Sequence, residues 1–125
     1  MAIVLLAILL WPRGNYKIAE VESGNTIVLD NGTRVVLIGV SDTDKAKDFL
    51  EDNYLMVKVK LQSDSCNPFD PNHLSGKETV YAYVLQKVDG QCVNATIISL
   101  GISPLNERYL TDRLKEFRKL AELAR

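Results

Sequence analysis

The chain has little of what usually announces a function. Two cysteines, Cys66 and Cys92, among 125 residues are too few for a disulfide framework, and their spacing fits neither a redox CxxC pair nor a zinc site. They read as unlinked thiols, with one bridge left open. A single histidine, His73, rules out a histidine-rich metal centre. There is no excess of basic charge: 15 Lys+Arg stand against 16 Asp+Glu, which disfavours tight non-specific binding to a phosphate backbone. No repeat, low-complexity tract, phosphate-binding glycine loop or nucleophile elbow occurs. What is present, 46% hydrophobic and 25% charged residues, describes an ordinary globular domain large enough to bury one core.

The longest apolar run, Met1 to Trp11, is shorter than the roughly 20 residues a spanning helix needs. Three readings compete for it: a truncated membrane anchor or signal remnant, a complete but atypical signal, or a buried structural segment. The first is favoured, so export or membrane anchoring is expected over a cytoplasmic location. Trp11-Pro12-Arg13-Gly14-Asn15 then breaks the chain, dividing an apolar segment at 1–11 from a domain at 12–125.

Within that domain Tyr16 to Val21, Thr26 to Leu29, Arg34 to Val40, Leu55 to Leu61 and Thr79 to Lys87 read as strands. Asn31-Gly32 suits a type I′ hairpin, and Gly39 marks a bend or bulge. Ser41 is expected to cap a helix with Asp44 at the capping-box position, and Ala46, Phe49, Leu50 and Tyr54 supply its apolar face. Ser63 to Glu78 is a polar loop. Val93 to Leu100 and a segment from about Thr111 read as two closing helices. The expected fold class is therefore α+β: a five-stranded OB-type barrel with helices, an open sheet being the runner-up. Val36, Leu37, Ile38, Val40, Phe49, Val57, Val59, Val84, Ile97 and Phe117 are expected in one core.

Two stretches, SGNTIVLDNGTRVVLIGV and YAYVLQKVDGQCVNATIISLGIS, together resemble the staphylococcal-nuclease-like domain in order, spacing and turn positions. The resemblance covers most of residues 16–125. It implies calcium-dependent hydrolysis of DNA or RNA phosphodiesters, with carboxylates on the ion, a glutamate activating water, and two arginines neutralising the transition state. Carried onto this chain, the metal-ligand aspartates fall on Asn25 and Ser41. A main-chain ligand falls on Asp42, the glutamate near Asp44, and the arginines on Val36 and Thr79. Most of the charged groups are thus replaced, and Arg34 is the one residue that could act from a displaced position.

The expectation is a non-catalytic nuclease-like domain serving as a binding or structural module, without cofactor or metal. The alternative is a weak or altered nuclease, for which calcium would be the cofactor. Partners in view are a protein, a single-stranded nucleic acid through Tyr81 and Tyr83, or a membrane through the first residues. For Asp42 and Asp44 helix capping is favoured over a relic acidic site. Cys66, Asp70 and His73 read as exposed loop residues, and Asn94 as satisfying buried backbone groups.

Overall fold

A computed structural model describes residues 15–125; the apolar segment at 1–11 lies outside the described residues. The strands are β1 (Tyr16–Ser23), β2 (Thr26–Leu29), β3 (Arg34–Leu37), β4 (Lys58–Ser63) and β5 (Thr79–Gln86). The helices are α1 (Asp44–Tyr54), α2 (Val93–Ser99) and α3 (Leu114–Leu123). The sheet closes in a ring in the order β1-β2-β3-β5-β4, with β3 and β5 parallel and the remaining pairs antiparallel. The five-strand α+β expectation is met, and the open-sheet alternative is not.

Closure needs a coiled first strand, and the sequence supplies one. Ile18 and Val21 face the interior while Ala19 and Glu20 are both exposed, because the pairing of β1 with β2 slips between Ile18 and Glu20. Such a bulge bends the strand and lets it serve both neighbours. The turn joining β2 to β3 departs from the expected type I′. Only Gly32 is left-handed (φ 98°), and Leu29 accepts from the Gly32 N–H while its own N–H donates to Thr33. A single left-handed glycine after the turn is the three-residue hairpin with a glycine bulge.

The ring is filled in two directions. Val80, Ala82 and Val84 of β5 join Ile18, Ile27, Val35, Leu37, Val59 and Leu50 inside the ring. Tyr81, Tyr83 and Leu85 on the other face join a second cluster with Ile38, Ile98, Leu110 and Phe117. The single core expected from sequence is therefore two, because β5 is covered on both faces. Val36, Phe49 and Val57 are only half-buried.

Gly39 explains how α3 seats on this second face. Its left-handed φ of 89° turns the chain out of β3, and a Cβ there would stand 2.7 Å from the Phe117 ring. The aromatic side chain occupies the space that a larger residue would fill.

α3 begins at Leu114 rather than Thr111. The N–H groups of Thr111 and Asp112 donate instead to the Asp64 carboxylate, at 3.0 and 2.9 Å. Asn94 acts as expected from sequence: its Nδ2 donates to Ile38 and Ala82 carbonyls and its Oδ1 accepts from the Val84 N–H, all buried. One side chain thereby completes hydrogen bonds that β3 and β5 leave open where they diverge.

Candidate functional site

The positions singled out by sequence converge on the β1–β2 turn, the middle of β3 and the approach to α1, but most of their polar atoms already have partners. Asn25 Oδ1 accepts from the hydroxyls of Ser23 and Thr26, each at 3.1 Å. Asp42 Oδ1 accepts from the Gly24 N–H at 2.8 Å. Gly24 has no room for a side chain, since a Cβ would lie 2.3 Å from the Thr43 carbonyl oxygen. The turn and the start of α1 are thus pressed backbone to backbone and fastened by Asp42.

The cap of α1 is Thr43, not Ser41: its hydroxyl accepts from the Ala46 N–H at 3.1 Å. Ser41 is drawn away by the segment before α3. Its N–H donates to Ser103 Oγ and its hydroxyl to the Pro104 carbonyl, both at 2.8 Å. Asp44 is left exposed in the first turn, where its charge complements the helix dipole.

Neither position at which the resemblance implies an arginine is refilled from nearby. Val36 pairs with Thr26 on one side and Tyr81 on the other, presenting a half-buried aliphatic side chain. Arg34 lies opposite Thr79 and forms an ion pair with Glu22 at 2.5 Å. Two residues along a strand is a displacement of roughly 7 Å, and Arg34 stays on the outside of the ring.

A cleft of about 250 Å³ opens beside Val36. Asn25, Val36 and Tyr81 form its near wall, and Asn106, Arg108 and Tyr109 its far wall. No carboxylate lines it; Ser41, Asp42, Asp44 and Thr79 lie outside. Tyr81 and Tyr109 meet at 4.3 Å between ring centroids, and Arg108 stacks over Tyr109 at 5.0 Å. Tyr109 is one of two non-glycine residues at positive φ among the described residues (63°), a conformation held by the surrounding contacts. Sequence reasoning missed the far wall, which carries no helical or strand periodicity. The one available signal was an Arg-Tyr pair in a stretch between two helices.

Tyr83 is turned away from any ligand. It is 1% exposed, packs edge-on against Phe117, and donates its hydroxyl to the Asp64 carboxylate. Burial first, and then the Asp64 carboxylate, push its phenol far above the ordinary range. It offers no stacking face, and only Tyr81 of the tyrosine pair reaches the cleft.

Cys66 is exposed and Cys92 buried, and both are free thiols. His73 Nδ1 lies 2.5 Å from Asp70 Oδ2 in the same exposed loop. No group of three or more His, Cys, Asp or Glu side chains among the described residues is placed to hold a metal ion. No protein-family model matches the chain, and no curated protein matches it.

Proposed function

We propose that the protein is a non-catalytic binding module of the staphylococcal-nuclease-like OB type, its binding face the cleft beside Val36. One observation carries this reading: the oxygens that would hold a divalent ion are neutral or already committed. Asn25 and Ser41 carry no charge, Asn25 Oδ1 accepts from two hydroxyls and the Ser41 hydroxyl donates to the Pro104 carbonyl, while the Oδ1 of the nearby Asp42 carboxylate accepts from the Gly24 N–H. A divalent ion needs several hard, charged oxygens to offset its dehydration, and this arrangement supports none of that.

What the cleft retains is a shape and one cation. Arg108 has no ion pair among the described residues, and the absence of lining carboxylates leaves it free to meet an anionic group. Val36 and Tyr81 supply apolar wall. Such a site holds a ligand in place without supplying the means to cleave it.

Thermal melts with and without calcium test the proposal. A nuclease site filled at about 100 times its Kd would gain about 2.7 kcal/mol of stability, a shift of several degrees. The expected result is no shift. A saturable rise in melting temperature that disappears in Asp42→Ala would mean that the turn opens to form a metal site, and the proposal would be wrong.

A further inference from the structure

Away from the cleft, the fold gathers lysines that are far apart in sequence. Lys17 of β1 and Lys58 of β4 are direct cross-strand partners, so their side chains leave the same face. Lys60 lies two residues further along that face. On the other flank Lys87 donates its N–H to the Lys58 carbonyl, one step beyond the Val59–Gln86 pair. Lys58, Lys60 and Lys87 are exposed and Lys17 half-buried. Lys17, Lys58 and Lys60 have no ion pair among the described residues. The neighbouring acids Asp30 and Asp89 are turned to backbone N–H groups, of Lys17 and Gln91. Directly opposed like charges destabilise a sheet, so folding gives no reason for them.

Exposed aliphatic side chains stand among these lysines. Met56 is 63% exposed and donates its N–H to the Ile18 carbonyl, which places it beside Lys17 and two residues before Lys58. Val88, next to Lys87 at the turn after β5, is 88% exposed, and Leu55 is 42% exposed. The nearby rings of Tyr16 and Tyr54 are buried, so this face has no aromatic platform for nucleic-acid bases. In the β1–β4 register, residue 15 falls opposite Lys60, so the described part of the chain begins at this same patch.

We propose that this face rests on an anionic lipid surface, its lysines meeting lipid headgroups while Met56 and Val88 enter the interfacial layer. Basic charge and a modest apolar insertion are each weak alone, and stable attachment requires the two together. The domain supplies the first and part of the second. The apolar run at 1–11, a few residues before the described part of the chain in sequence, adds to the second without having to span the bilayer. No helix among the described residues is long and apolar enough to cross a membrane.

The test is co-sedimentation of the full chain with vesicles of phosphatidylcholine alone or mixed with phosphatidylserine, at low and physiological salt. Each lysine near an anionic surface contributes about fivefold in partition, so combining Lys17→Gln, Lys58→Gln and Lys60→Gln should weaken binding to the anionic vesicles about 100-fold. Binding to the neutral vesicles should be unchanged. Because opposed charges are removed, the triple variant should melt no lower than the parent. Should it melt lower, Val88→Ser at the turn tip decides instead, with several-fold weaker binding expected. Equal partition of the parent into both vesicle types, or unchanged binding by the variants, overturns the proposal. So does loss of single-stranded oligonucleotide binding in the triple variant with vesicle binding intact, which would assign the face to nucleic acid.

Discussion

Asp64→Ala is expected to destabilise the protein by about 3–5 kcal/mol, because one buried carboxylate satisfies four donors, and a hydrogen bond to a charged group contributes about 1.5–3 kcal/mol. Cys66 donates its N–H to Oδ1, and Thr111, Asp112 and Tyr83 donate to Oδ2. The side chain is fully buried, so its removal leaves these donors without their acceptor. It also ties the start of the long loop to the segment leading into α3, so both should loosen together. Urea denaturation would measure the loss. Hydrogen exchange should show the Thr111 and Asp112 amides losing protection first, and a loss below about 1 kcal/mol would mean that water replaces the carboxylate without difficulty.

The same group makes the fold sensitive to acid. Burial alone would raise the Asp64 carboxyl, but the Tyr83 hydroxyl and the backbone N–H groups outweigh it and hold the group below its usual range. Glu78 behaves alike: the Ser75 N–H first, with the Gly76 N–H and the Thr33 hydroxyl, brings it down to about 2. A carboxyl whose folded pKa is depressed contributes stability that is present in full above its unfolded value, near 4, and is lost as pH falls through the folded value. Stability should therefore decline from about pH 4 downward, and less steeply in Asp64→Ala.

Phe117→Ala is the second large effect, with an expected cost of about 3–5 kcal/mol for a fully buried aromatic ring. The ring rests on Gly39 at the exit of β3 and edge-on against Tyr83 at 5.8 Å. A near-zero loss would show that α3 does not pack on β5. The contact with Gly39 supplies an internal control. Gly39→Ala introduces a clash with the ring and forces an alanine into the left-handed φ that glycine adopts freely, and removal of the ring relieves the clash alone. The double variant should be more stable than the sum of the two single losses implies, by about 0.5–3 kcal/mol.

Strand positions were legible where turn residues bound an apolar run, as in Thr26 to Leu29 before Asn31-Gly32; the strand expected from Leu55 begins only at Lys58, because Leu55 and Met56 turn the chain out of α1, and the one expected to reach Val40 ends at Leu37, before Gly39 turns the chain. Errors came where a choice between equivalent local signals was settled by distant partners. Ser41 and Thr43 are both competent caps, and Ser103, more than 60 positions away, takes Ser41. Thr111 looks like a helix start until Asp64 claims its N–H. Tyr81 and Tyr83 share a strand face, yet only the packing of α3 and the position of Asp64 separate a half-buried ring from a fully buried one. The replaced site residues could be read directly from sequence; the commitment of Asn25 and Asp42 to the turn could not, since it depends on how closely Gly24 approaches Thr43.

The central claim is that this architecture binds without cleaving. Removing even one preorganised donor from a transition-state site typically lowers the rate about 10²–10³-fold, and the two positions at which the proposed relationship implies arginine, Val36 and Thr79, carry no charge. Arg34 is held by Glu22 outside the cleft, and Arg108 lines the cleft from the segment between α2 and α3. The most direct measurement is cleavage of single-stranded DNA and RNA by the full chain with and without calcium, a calcium-dependent nuclease serving as positive control. The account predicts no calcium-dependent product above buffer, and none until Asn25→Asp, Val36→Arg, Ser41→Asp and Thr79→Arg are combined. Cleavage by the unaltered protein that is abolished in Asp44→Ala would contradict it and establish the alternative, an altered calcium-dependent phosphodiesterase.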